Sequence, residues 1–350
     1  MSRASRFLEW FFVLMLAPLA TGQQYGVSDL GSLDPGGVVD VSYANGINSF
    51  GEVAGSSYTA ELGLHAYVWT KKDGIRDLGT LGGSDSIAYA VDDLGTVVGS
   101  ADLANGDIHA FAWTKVGGMQ DLGTLGGTES AAFASNNHGQ IVGEAFNATG
   151  LSHAFLWTKE GGMQDLGTLG GDMSEALAIN NLGEVVGDSS IAGSGNIHAF
   201  LWSKSKGMQD LGTFKNYNPS YAYGINDFGE VVGYAGITQL YTFTYGFRWT
   251  QAQGPTPLGF LEGGTQSFGL GINFFGVVVG SFNDSQGLSY AFVRTKPVGM
   301  QDLNLLIPKN SGWILTQANA LNVVGQITGS GPVLINGNYT NHAFLLTPTN

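Results

Sequence analysis

The chain has no cysteine, so neither a disulfide nor a cysteine-ligated zinc holds it together. Packing and strand pairing must do so alone. Positive charge is scarce: 14 Lys and Arg stand against 28 Asp and Glu, a net charge of −14 at pH 7, with no basic stripe. A chain of that kind repels phosphate backbones, which argues against a nucleic-acid partner. Charged residues amount to only 12% of the total, low for a cytosolic protein, while 43% hydrophobic content suits a packed globular one. Apolar spacings of three and four, the mark of amphipathic helices, are missing. After residue 22 no apolar run is long enough to span a bilayer.

The first residues have the form of a secretory leader. Arg3 and Arg6 precede a mainly apolar stretch from Phe7 to Ala20, interrupted only by Glu9, and Ala20-Thr21-Gly22 places small residues at a cleavage site. Residues 1–22 are therefore expected to be a signal peptide and 23–350 the mature chain, exported and without a membrane span. Its expected location is extracellular, at the cell surface or in the periplasm.

What the chain has in abundance is glycine, 55 residues, recurring at fixed places between apolar runs. The recurrence belongs to a unit repeated seven times. Its Asp-Leu mark falls at Asp29, Asp77, Asp121, Asp165, Asp210, Pro257 and Asp302, spacings of 44 to 48 residues. A unit of that length is too small to bury its own core and must lean on its neighbours, so 23–350 is expected to form one domain.

Each unit holds four short stretches with strand character between Gly, Asn and Lys turn signals. In the fourth copy they are Ser174-Glu-Ala-Leu-Ala-Ile-Asn180, Glu184-Val-Val-Gly187, His198-Ala-Phe-Leu-Trp202 and Gly207-Met-Gln-Asp-Leu211. Four strands in about 45 residues match the blade of a β-propeller. Two positions of the first strand are Ala or Gly in every copy, from Ala44/Gly46 to Ala318/Ala320. Period-two alternation places both on one face, and small side chains there suit the crowded centre of a radial array, so this is the expected inner strand. The mature chain opens with a lone fourth strand (Tyr25 to Leu30) and finishes with a third (His342 to Leu346). The expected fold is all-β, a seven-bladed propeller closed by the N-terminal strand completing the last blade, which leaves no open edge. A β-solenoid is the alternative.

Five of the six histidines share one repeat position: His65, His109, His153, His198 and His342. An acid follows twelve residues after four of them, at Asp77, Asp121, Asp165 and Asp210, and ring closure would supply Asp29 to His342. A hairpin centred near Lys159 sets His153 opposite Asp165, Phe155 opposite Met163 and Trp157 opposite Gly161. An imidazole N–H donating to a carboxylate is a favourable cross-strand pair. Identical dyads in most units are a poor way to build one active site and a natural way to pin hairpins, so these ten residues are expected to be structural. Trp69, Trp113, Trp157, Trp202 and Trp249 share a repeat position too and are expected between blades, with His138 in an exposed turn.

The phrases His-Ala-Phe, Asp-Leu-Gly-Thr-Leu-Gly-Gly and Ile-Asn-x-x-Gly-x-Val-Val-Gly resemble the bacterial extracellular HAF-repeat family over Tyr25 to Leu346. Units five to seven depart most, with Tyr245-Gly-Phe, Tyr290-Ala-Phe and an insert bearing Pro332. The resemblance implies an exported or surface repeat protein, and it implies no catalytic residue.

Turns after the first and third strands keep constant length, whereas the other two connections vary, so all length variation falls on one face. Loops carry function more readily than the scaffold beneath them, which makes this the expected binding face. Tyr217, Tyr221, Tyr241, Phe243 and Tyr245 gather there as candidates for stacking on a glycan or docking a surface protein. Asp85, Glu129, Asp172 and Glu175 follow Gly-Gly pairs on the same face, where clustered carboxylates would hold Ca²⁺ or attract a cation. No other cofactor is expected, and no residue stands out as catalytic. The expectation is a secreted or cell-surface binding module, not an enzyme, of undetermined oligomeric state. Two alternatives stand beside it: a propeller glycan hydrolase or lyase with an acidic site at the channel mouth, and a purely structural matrix protein.

Overall fold

The computed structural model describes residues 23–213, 218–236 and 244–349. The expected leader, 1–22, and the candidates Tyr217, Tyr241 and Phe243 lie outside the described residues. Among the described residues, strands pair into four-stranded antiparallel sheets in a propeller-like arrangement. Unit four shows the pattern: Gly170–Ile179, Val185–Ile191, Ile197–Ser203 and Gly207–Gly212 pair in chain order. Two pairs of neighbouring sheets touch through one parallel bridge each, Glu129 with Ile108 and Gln266 with Thr244.

The inner strand is not a regular strand. Register jumps between its two small positions in every unit, as at Ala132/Ala134 and Ala176/Ala178, leaving Phe133 or Leu177 as a bulge. This corrects the period-two expectation, because an extra residue between the two positions breaks the alternation. The first small position is sealed in the sheet, with Ala44, Ala88, Ala132, Ala176, Ala222 and Ala318 fully buried. The second meets the neighbouring inner strand, where a Cβ on Gly46 would stand 2.8 Å from the Ala90 Cα. The bulge also dictates the glycine of the second strand. A Cβ on Gly143 would lie 1.9 Å from the Ala131 carbonyl oxygen, and Gly55, Gly99, Gly187, Gly233 and Gly280 face the same distance to their own partners. The freed space takes the third strand's aromatic ring, and Phe111, Phe155, Phe200 and Phe292 are completely buried.

The core is a set of layers between units. Ala66 and Val68 of unit one pack with Val97, Phe111 and Trp113 of unit two, and Val186 and Ala199 of unit four with Ala222 and Phe247 of unit five. Most seams are stitched by the serine that opens the inner strand; where Thr316 takes its place, the Ala291 N–H donates to the Leu315 carbonyl at 2.9 Å instead. Ser174 Oγ donates to the Gly167 carbonyl at 2.7 Å and accepts the Ala154 N–H at 2.8 Å. The last unit meets the first in the same way: Ala343 N–H donates to Ser42 Oγ at 3.0 Å, and Leu30, Ala44, Val53 and Tyr67 pack with Ala343 and Leu345. Gln24–Asp29 pairs antiparallel with Asn338–Thr349 as the fourth strand of the last sheet.

The hairpin register differs from expectation by one residue at its centre. Phe155 stands opposite Asp165, Trp157 opposite Met163 and Thr158 opposite Gly162. Gly162 adopts φ +65° and Thr158 Oγ1 accepts the Gly161 N–H, so the turn is centred on Glu160, as a glycine bulge after a tight turn requires. His153 therefore reaches Asp165 diagonally.

Candidate functional site

The inner strands surround a cavity of about 500 Å³. Its wall includes the bulged residues Asn45, Tyr89, Phe133, Leu177, Tyr223, Leu270 and Asn319, whose side chains a regular strand would not all turn inward. Tyr89 and Phe133 meet edge to face at 5.2 Å between centroids. A collar of Ile47, Val91, Ile225, Ile272 and Leu321 joins this cavity to a second of about 280 Å³ framed by the Asn-x-x-Gly turns. There Asn48, Asn136, Asn180, Asn226, Asn273 and Asn322 each donate Nδ2–H to a carbonyl of the next unit at 3.0–3.2 Å. Asp92 takes the seventh place. Its Oδ1 accepts the Leu94 and Thr96 N–H groups, while its buried Oδ2 has no partner. The exposed tips of these turns carry Phe50, Leu94, Leu182, Phe228 and Val324, an apolar rim on the face of constant loops.

At the opposite end the repeat breaks down on one side. The second-strand residue that follows the obligatory glycine is Ser56, Ser100, Ser281 or Ser330 in four units. In three adjacent units it is Glu144, Asp188 and Tyr234. Register places these directly across from Ala131, Glu175 and Tyr221 at the start of the inner strand. That is the end nearest the variable connections. Glu175 and Tyr223 line the cavity. Tyr234 stacks on Tyr223 at 5.4 Å, tilts against Tyr221 at 5.1 Å and meets Phe268 edge-on at 5.0 Å. The Tyr223 and Tyr234 hydroxyls are 3.4 Å apart, and Ser152 Oγ donates to Glu144 at 2.7 Å. The result is an arc of three carboxyl groups and three tyrosines across units three to five.

Among the described residues no Lys or Arg forms an ion pair with this arc; the Lys and Arg ion pairs converge on Glu230, from Arg248 and Lys296. Burial, then the charge of Glu144, pushes the Glu175 carboxyl up to about 7. Asp188, only 4% exposed, is pushed up to about 8 by burial and by the charges of Glu175 and Glu144. The two carboxyls titrate as a unit, one proton being held between like charges near neutral pH. Burial and the same carboxylates raise Tyr223 and Tyr234, although the bond to Tyr234 works against the rise in Tyr223. Tyr89 is raised by burial against the opposing effect of its bond to Ser100. The arc is thus able to donate and accept protons and to present aromatic faces, and it is electrostatically ready for positive charge.

No family model matches the sequence, and a comparison with curated proteins finds no match. Similarity to solved structures is confined to the fold. A puromycin hydrolase is similar with a TM-score of 0.56 at 10% identity, over 94% of this chain but about half, 53%, of that one. A lectin from Burkholderia pseudomallei (TM-score 0.49, 8% identity, 94% and 97% covered) and a gluconolactonase from Xanthomonas campestris (TM-score 0.45, 9% identity, 94% and 91% covered) are more distant.

The residues singled out from sequence divide sharply. The His and Asp of the repeat form hydrogen-bonded pairs: His65 with Asp77, His109 with Asp121, His153 with Asp165, His198 with Asp210 and His342 with Asp29, at 2.8–2.9 Å through Nδ1. Each of these aspartates also accepts a glycine N–H two residues on, as Asp165 does from Gly167 at 2.7 Å. Of the stacking candidates, Tyr221 belongs to the arc, whereas Tyr245 packs on Phe260 at 4.9 Å. The four carboxylates offered for calcium are not brought together. Asp85 accepts the Leu64 N–H at 2.7 Å, Glu129 and Asp172 stand exposed on different units, and Glu175 turns into the arc. Among the described residues no three His, Asp or Glu side chains are grouped to hold a metal ion. Glu144, Asp188, Tyr223 and Tyr234 were missed from sequence. Their signal is the aligned column after Val-Val-Gly, where serine gives way to acid or tyrosine in neighbouring units.

Proposed function

We propose that the mature chain is a closed seven-bladed β-propeller of the HAF-repeat type, exported after loss of residues 1–22, that binds a glycan or surface partner at the variable-face mouth of its channel. The observation that carries this reading is the one-sided break in the repeat. Glu144, Asp188 and Tyr234 replace serine in adjacent units and stand beside Glu175 and Tyr223, which line the 500 Å³ cavity. Closure is supported by the strand pairing of Gln24–Asp29 with Asn338–Thr349 and by Asn322 donating to the Asn48 carbonyl as its counterparts do around the ring. A mostly apolar pocket with few convergent polar groups is the usual form of a ligand site. Titration of the purified protein against a panel of cell-surface glycans tests it. Saturable binding that weakens at least about tenfold in Tyr221→Ala, as expected for an aromatic anchor, supports the site. Binding unaffected by Tyr221→Ala or Glu175→Gln removes it.

A hydrolase or lyase is the second reading, favoured by one observation: two facing carboxyls whose affinities for protons are raised into the neutral range suit general acid–base work. Turnover of a bound glycan, lost in Asp188→Asn with binding retained, would select it.

A further inference from the structure

Three features of the arc point to the class of ligand. The carboxyl of Asp188 lies on the same sheet face as Glu175 and directly across from it, nine-tenths buried, and no hydrogen bond reaches it among the described residues. A buried acid without a donor is costly, yet four other units manage the same position with serine. Beside it stand two further carboxyls, Glu144 and Glu175, and the rings of Tyr221, Tyr223 and Tyr234. Carboxylates flanked by aromatic faces are complementary to a cation with N–H donors and an organic body. A hard metal ion is a poorer fit, since Ca²⁺ takes six to eight oxygens and the described residues hold no such group.

We propose that Glu144, Glu175 and Asp188, with the Tyr223 and Tyr234 rings, form a receptor for an organic ammonium group entering from the variable face. This rests on the channel mouth being the binding site and names its ligand class. Among the described residues the groups facing the ammonium are these three acids and Tyr89, Tyr221, Tyr223 and Tyr234, with no basic side chain beside them. Binding ionises carboxyls that the empty site keeps protonated, so protons are released near neutral pH. Affinity rises with pH until the amine itself loses its proton.

The test is calorimetry of the purified protein with the glucosamine disaccharide, its N-acetylated counterpart, putrescine and calcium chloride, in two buffers of different ionisation heat. The expected result is saturable binding of an amine with proton release, no response to calcium, and a loss of at least tenfold for the acetylated sugar. Binding of the disaccharide alone assigns the ammonium to an amino sugar; binding of putrescine as well assigns it to amines generally. The decisive variant is Asp188→Ser, which restores the residue of four other units: it should raise the melting temperature and lower amine affinity more than tenfold. Equal affinity for the acetylated sugar, or full affinity in Asp188→Ser, overturns the ammonium site while leaving a glycan site that Tyr221→Ala abolishes. No binding of any of the four probes, with none from the glycan panel, overturns both.

Discussion

Single side chains in this protein either repeat or break the repeat, and the two kinds make different predictions. Asp165 is of the first kind. Its carboxylate serves His153 and the Gly167 N–H in a half-exposed setting, so Asp165→Ala should cost about 1 kcal/mol of stability and leave ligand binding intact. Denaturant unfolding of the variant beside a binding titration checks both halves. Asp92 is of the second kind. It alone among the seven equivalent repeat positions lacks the N–H that its counterparts donate across the seam, and burial raises its carboxyl against the N–H groups of Thr96 and Leu94. Asp92→Asn should therefore stabilise by about 1–2 kcal/mol, read as a higher denaturation midpoint with unchanged slope. Glu175 and Asp188 extend the pattern to pH. Their folded values of about 7 and 8 exceed the unfolded range near 4, so the folded state holds more protons between those limits. Stability should fall as pH rises from about 4 to 8, and Asp188→Ser should flatten that slope.

At the scale of the strand, the inner bulge links sequence to site. It turns a residue into the channel, drives the preceding carbonyl toward the second strand, and so demands glycine there. Gly187→Ala would set a Cβ 1.9 Å from the Glu175 carbonyl oxygen, backbone that has no room to withdraw. The expected loss is more than about 3 kcal/mol, measurable as a collapse of the melting temperature, with Gly187→Ser no better. The small residues of the inner strand were legible from sequence because they recur. The bulge between them was not, since a period-two pattern and a bulged strand share the same small residues. The hairpin register went astray for a related reason: a glycine pair marks a turn but does not say which glycine takes positive φ. The aligned column of Ser56, Ser100, Glu144, Asp188, Tyr234, Ser281 and Ser330 was in plain view. Nothing local says that three of its members meet beside a cavity.

Over the whole molecule, the seam between the last and first units concentrates what holds the ends together. Tyr25 and Leu30 are 2% and 4% exposed, so deleting Gln23 to Gly31 forfeits about 4–5 kcal/mol of apolar burial along with a strand. The melting temperature should drop sharply; an unchanged melt would count against a closed ring. His342 differs from its counterparts in having two carboxylates, Asp29 on Nδ1 at 2.9 Å and Asp40 on Nε2 at 3.1 Å. Burial lowers its affinity for a proton, but the bond and charge of Asp29 and then Asp40 raise it overall. Asp40 is pushed up by burial and brought below its ordinary value by Ser32, Gly36 and His342. A histidine raised in the folded state stabilises fully below its unfolded value and ceases to do so as pH climbs through the folded one. A depressed carboxylate stabilises above its unfolded value and fails as pH falls through the folded one. The seam should be firmest in mildly acidic solution, and His342→Gln should remove the share of the stability loss on raising pH that His342 contributes.

The amino-acid sequence determined everything that repetition enforces: the unit, its four strands, the small inner positions, the His and Asp partners, and the two end strands that complete one another. Periodicity is a local signal, and a repeated chain states it many times over. Which departures from the repeat meet in space was decided only by tertiary structure. Glu144, Glu175, Asp188 and Tyr234 lie in three units, up to 90 residues apart between Glu144 and Tyr234, and become neighbours because successive sheets pack face to face around a channel. Burial there, not residue type, is what turns Glu175 and Asp188 from ordinary acids into carboxyls that hold their protons near neutral pH.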